Sequence, residues 1–164
     1  MGEPNRAAGA LTARDIQREL RIGRDLAYSI IRDIGTKVDR RWVVSSEVFQ
    51  CYRDGLSPAK LAQQWADEVL LGMPECGGLR NAGNIYFASD GKNVKIGFTR
   101  RAPGFRLAGI QTSNATKVQL LGFFVGSLAQ EKYLHAALEC DRIRGEWFRR
   151  SNKVDALIGK LVGR

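Results

Sequence analysis

The chain has 164 residues, 44% of them hydrophobic, with 26 Lys+Arg against 17 Asp+Glu and a formal charge of +9. That apolar fraction excludes a disordered tail, and the strongly apolar stretch Leu120–Val125 is far short of the roughly 20 residues a membrane span needs. A single histidine excludes a histidine-cluster site, while Cys51, Cys76 and Cys140 are too widely spaced to suggest a zinc clip or a disulfide framework.

The charge is unevenly placed. Residues 1–80 hold 12 Lys+Arg and 11 Asp+Glu, a net of +1, and residues 81–164 hold 14 and 6, a net of +8. An excess of that size and sign points to an anionic polymer, nucleic acid foremost, with a merely soluble basic protein as the plain alternative. Residues 1–10 read as a loose leader without the apolar core of a secretory signal, so the expected location is cytoplasmic.

Residues 11–56 are predicted to form a first unit. Thr12 caps a helix over 13–20 with Asp15 near its positive end; Gly23 sits in a tight turn, and Arg24 opens a second helix. The apolar side of that helix is read as Leu26, Ala27, Ile30, Ile31 and Ile34, with Gly35 at its end. Lys37–Val44 reads as a basic β-hairpin, and Ser46 as the cap of a third helix through Tyr52. LTARDIQRELRIGRDLAYSIIRDIG followed by RRWVVSSEVFQCY resembles the excisionase-like and MerR-like winged helix-turn-helix domains. The resemblance implies that the second helix enters the major groove of double-stranded DNA and the wing touches backbone. Arg24, Tyr28, Ser29 and Arg32 are then the candidate readers of bases or phosphate, and Arg40 and Arg41 the candidate phosphate contacts. The interspersed Asp15, Asp25, Asp33 and Asp39 make the expected affinity of this unit modest.

Residues 57–83 are expected to connect the units. Ser57 and Pro58 start a helix through Leu71, and Gly72–Gly83 reads as a linker. Leu61, Trp65 and Val69 form an apolar stripe that could dock on either unit or support a homodimer. The helix spans about 20 Å and the linker reaches at most about 35 Å, so the second unit should act within about 20 base pairs of the bound site.

Residues 84–164 read as a small α+β unit with an antiparallel sheet. Asn84–Ala88 and Val94–Phe98 are strands about the Asp90-Gly91 turn, and a helical stretch near Phe105–Ile110 precedes a strand over Val118–Val125. Ser127 and Gln130 form a capping box for a helix to about Glu139, and Ser151 starts a last helix to Leu161. Ile85-Tyr86-Phe87, Lys95-Ile96-Gly97, Arg106, Glu131 with His135, and Gly145-Glu146-Trp147-Phe148 occur in that order. The set resembles the GIY-YIG nuclease superfamily, in particular its short phage-associated branch.

The resemblance implies an endonuclease that hydrolyses phosphodiester bonds with one Mg²⁺ or Mn²⁺. It carries the metal-ligand role to Glu131, the one acidic residue expected in the site, the phosphate-stabilising role to Arg106, and the water-handling role to Tyr86. Phosphate gaining charge suits a guanidinium, and one divalent ion needs few protein ligands. Tyr86 could serve as a base only if cations such as Arg106 and Lys95 lowered its pKa. Lys95 stands where the family name implies a second tyrosine, and Asn84 where it implies the first glycine. His135, one turn after Glu131, could steer water, contact phosphate or act structurally. Arg100 and Arg101 are candidate grips on substrate backbone, Trp147 and Phe148 are read as core, and Glu146 as either a cap or a partner that supports the site residues, the structural role being favoured. One active site nicks one strand, so a double-strand break needs a homodimer or two visits. The alternative function is an uncleaving DNA-binding regulator or recombination-directionality factor; an RNA target is a further alternative.

Overall fold

The computed structural model describes residues 9–112 and 115–162. It is an α+β protein, with seven α-helices and two antiparallel sheets among the described residues. The chain divides into two compact units, Met1–Gln64 and Trp65–Arg164. The division falls inside a helix, so the expected linker does not separate the units; it lies within the second. Counted this way, the first unit has 11 Lys+Arg against 8 Asp+Glu, net +3, and the second 15 against 9, net +6.

In the first unit, β1 (Ala10–Thr12) leads into α1 (Ala13–Leu20) and α2 (Arg24–Ile34). These precede β2 (Thr36–Val38), β3 (Arg41–Ser45), α3 (Ser46–Arg53) and the start of α4 (Pro58–Leu71). The Asp15 carboxylate accepts from the Thr12 backbone N–H at 2.8 Å and its hydroxyl at 2.7 Å, which fixes the start of α1. Arg21, at φ +52°, is the left-handed residue that turns the chain, and Gly23 is the N-cap of α2 rather than the turn residue expected. Ala27, Ile30, Ile31 and Ile34 pack with Ile16, Val44, Phe49 and Leu61 into one core. Leu26, expected on that stripe, is 54% exposed. It lies about 90° around the helix from the stripe's centre, too far to share its contacts.

Two further corrections concern the sheet and the start of α3. Of the expected leader, residues 1–8 lie outside the described residues, but Ala10 pairs with Ser45 in a third strand that the sequence reading missed. Its sheet order is β1-β3-β2. Ser45, not Ser46, caps α3 by accepting from the Val48 N–H; the Ser46 hydroxyl instead donates to the Gly9 carbonyl at 2.8 Å. The apolar stripe on α4 is already used by its own chain. Leu61 belongs to the first unit's core, Val69 is buried, and Lys153 Nζ lies 5.3 Å from the centre of the Trp65 ring.

The second unit holds β4 (Ala82–Ser89), β5 (Asn93–Thr99), α5 (Pro103–Thr112), β6 (Gln119–Ser127), α6 (Leu128–Ala137), β7 (Arg142–Arg144), β8 (Trp147–Arg149) and α7 (Asn152–Leu161). Its five strands are ordered β6-β4-β5-β8-β7, all antiparallel. The hairpin β7–β8 is not foreshadowed in the sequence, where Gly145-Glu146-Trp147-Phe148 stands out only as a motif. The expected capping box forms: Gln130 accepts from the Ser127 N–H at 2.9 Å and Ser127 from the Gln130 N–H at 3.4 Å. Alternation along the strands sorts the side chains onto two faces. Ile85, Phe87, Val94 and Ile96 are buried on one face, and Phe148 is fully enclosed. Tyr86 and Ala88 point to the other, where they cluster with Ile110 and Val118 against Leu107, Leu120 and Trp147.

Candidate functional site

Register assembles most of the residues singled out in the second unit. Tyr86 pairs with Gly97, Ala88 with Lys95, and Lys95 with Trp147, and directly opposed residues share a face. Tyr86, Lys95 and Trp147 therefore stand together on the α5 side of the sheet. A Cβ added to Gly97 would lie 2.5 Å from Tyr86 Oη and 2.6 Å from its Cζ. The Tyr86 ring thus occupies the space that any larger residue at 97 would need, and Gly97 positions it.

Arg106 on α5 hydrogen-bonds Tyr86 and acts on it as a nearby positive charge. Burial nevertheless wins and raises the Tyr86 pKa above its ordinary 10.0, with Glu146 and Glu131 pushing in the same direction. The condition for Tyr86 to act as a base, a pKa lowered by its neighbouring cations, is not met: Arg106 lowers it, but burial outweighs that effect. Lys95 is instead engaged by Glu146, its Nζ 2.5 Å from Oε2, and lies 5.9 Å from the centre of the Trp147 ring. Of the two expected roles for Glu146, the structure gives the partner beside the site: Glu146 is part of the charged cluster, and Glu131 is not its only acid. The signal available in the sequence was its place in Gly145-Glu146-Trp147; what was missing was the hairpin that brings β8 beside β5.

Glu131 is 5% exposed, at the start of α6. Burial raises its pKa; His135 and Lys95 and a hydrogen bond from the Phe98 backbone lower it, while Glu146 raises it further. His135 Nε2 is 2.9 Å from the Ile96 carbonyl and 3.9 Å from Glu131 Oε1. A carbonyl only accepts, so Nε2 carries the proton and donates to it. The ring also packs on Phe148, with centroids 5.1 Å apart. His135 is thereby tied into the sheet through Nε2 and the face of its ring. Arg100 and Arg101 are exposed just past β5, where Arg101 N–H donates to Thr99 Oγ1 and Asn84 donates to the Arg101 carbonyl.

The fit of a divalent cation can be judged from this donor set. Glu131 and Glu146 are carboxylates close enough to raise Glu131's pKa, which is an arrangement that a hard cation relieves. Among the described residues no group of three His, Cys, Asp or Glu converges, so water would supply most of the ligands of such an ion.

In the first unit the selected residues line two concavities that share Tyr28. Arg24, Asp25, Tyr28, Ser29 and Arg32 border one of about 420 Å³ on the exposed side of α2. Arg14, Tyr28, Arg40, Arg41 and Trp42 border the other, of about 520 Å³. Arg14, on α1, was missed because it lies outside the α2-and-hairpin pattern. The hairpin turn places Asp39 at φ +45° and Arg40 at φ +68°, a conformation that costs most side chains free energy.

A scan of the chain against protein-family models gives no match, and searches against curated proteins and solved structures give none either. No helix among the described residues is long and apolar enough to cross a membrane.

Proposed function

We propose that the chain is a metal-dependent DNA endonuclease of the GIY-YIG type whose first unit, a winged helix-turn-helix, selects the site. The observation that carries this reading is the gathering of Tyr86, Lys95, Arg106 and Glu146 on the α5 side of the second unit's sheet, with Glu131 of α6 close enough to act on Tyr86 as a negative charge. They come from five separate segments, β4, β5, α5, α6 and the turn between β7 and β8, and include the carboxylates and cations that phosphodiester hydrolysis can use.

Glu131, supported by Glu146, would hold Mg²⁺ or Mn²⁺, which when bound would neutralise charge on the scissile phosphate and the departing oxygen. Arg106 donates to Tyr86 and presents a guanidinium to a phosphate gaining charge. Tyr86, kept neutral by burial, orients the attacking water rather than removing its proton. The Glu146 carboxylate, held by Lys95, is then the proton acceptor. Arg100 and Arg101 grip the flanking backbone. In the first unit, the concavities along Arg24, Ser29 and Arg32, and along Arg40 and Arg41, fit a duplex read by α2 and held by the wing.

Selection of bound sequences followed by footprinting and cut mapping on one duplex tests both halves. The reading expects a Mg²⁺-dependent cut at a fixed position relative to the footprint, lost in Glu131→Ala. A footprint with no cut under Mg²⁺ or Mn²⁺ would instead identify an uncleaving regulator.

A further inference from the structure

The face that carries Tyr86 continues onto β6, the outer strand of the sheet. Phe123 pairs with Tyr86, which pairs in turn with Gly97; one step along, Val125 pairs with Asn84, which pairs with Thr99. Directly opposed residues share a face, so Phe123 and Val125 flank the site on one side. The chain leaving Thr99 for Arg100 and Arg101 flanks it on the other. Phe123 is 46% exposed and Val125 69%, because Leu107, Ile110 and Val118 gather at the opposite end of that face, around Ala88 and Leu120.

An aromatic and an aliphatic side chain held open beside a cluster of cations match the two halves of one nucleotide. The phosphate belongs with Arg106 and Arg100, and a base ring belongs on Phe123. A continuous duplex keeps its base faces stacked on one another and offers Phe123 nothing. An unpaired nucleotide has a free face, and a paired one must first be unstacked at a cost.

We propose that Phe123, with Val125 beside it, is the stacking wall for an unpaired nucleobase at the point of cleavage. The second unit thereby prefers DNA with a locally unpaired nucleotide over continuous duplex. This rests on the nuclease reading given above.

The full chain is titrated, with Ca²⁺ in place of Mg²⁺, against a short duplex and the same duplex carrying one unpaired thymidine. Cleavage of both is then followed in Mg²⁺. The unpaired substrate should bind more tightly, and Phe123→Ala should reduce that preference by about 5- to 150-fold, the range base–aromatic stacking gives. Phe123→Trp should retain it, with melting curves confirming that both variants fold. A preference absent from the wild type, or unchanged in Phe123→Ala, overturns the proposal. Cleavage of both DNAs with no dependence on Phe123 leaves the nuclease reading standing and removes this one. A Phe123-dependent preference without any cleavage removes the nuclease reading and, with it, the proposal that the base is held at a point of cleavage. Sedimentation showing a dimer that Phe123→Ala dissociates would assign the surface to a second copy and overturn the proposal.

Discussion

Replacing Gly97 by alanine should damage stability and cleavage together, and the structure sets the size of both effects. The added methyl would sit 2.5 Å from Tyr86 Oη, whereas ordinary contacts begin at 3.4 Å, so ring or backbone must give by roughly 1 Å. Tyr86 is 1% exposed and cannot swing into empty space. Overpacking of this kind costs about 1–3 kcal/mol, or about 5–20 °C in melting temperature for a unit of this size. A displacement of about 1 Å at a positioned group costs about 10²-fold in rate. Plasmid nicking and thermal melting would be measured on the full chain beside Gly109→Ala, where the new Cβ meets nothing within 4 Å. Wild-type melting and nicking within about twofold in Gly97→Ala would show that Tyr86 is not held by this contact.

Other consequences are equally specific. Arg40→Gly should raise the melting temperature through relief of about 1 kcal/mol at φ +68° and yet weaken DNA binding, with the salt slope falling by about 0.9; unchanged binding would remove Arg40 from the interface. Glu131 has its pKa raised above 4.5 by burial, so its contribution to stability is fully present below that value and is lost as pH rises through the folded pKa. Glu131→Gln should therefore melt higher than wild type at neutral pH, with the gain vanishing in acid; a gain independent of pH would contradict this. Mg²⁺ at ten times its Kd should stabilise wild type by about 1.4 kcal/mol and leave Glu131→Gln unmoved, as read by calorimetry. Because Tyr86 titrates above 10.0, Tyr86→Phe should lower nicking without changing the shape of its profile from about pH 6 to 9. A changed shape there would return Tyr86 to the role of base.

The helices of the second unit were legible because each carries its own punctuation: Ser127 with Gln130, and Ser151 before Asn152. The strand pair around Asp90-Gly91 was legible for the same reason. What was hidden depends on partners distant in sequence. β1 has three residues and no period of its own, and it exists because β3 offers it an edge. Glu146 joins the charged cluster only because β8 pairs with β5, some 50 residues earlier in the chain by the Lys95–Glu146 separation of 51. The direction of the Tyr86 shift was also out of reach, since it turns on whether burial outweighs a neighbouring guanidinium.

The central claim is hydrolysis of DNA at the cluster around Tyr86 and Glu131, and nicking of supercoiled plasmid tests it most directly. The account predicts nicking by wild type that requires Mg²⁺ or Mn²⁺, is abolished by chelator, and falls by about 10²-fold or more in Glu131→Ala and Tyr86→Phe. Plasmid left intact by wild type, or nicked equally well by both variants, would contradict it.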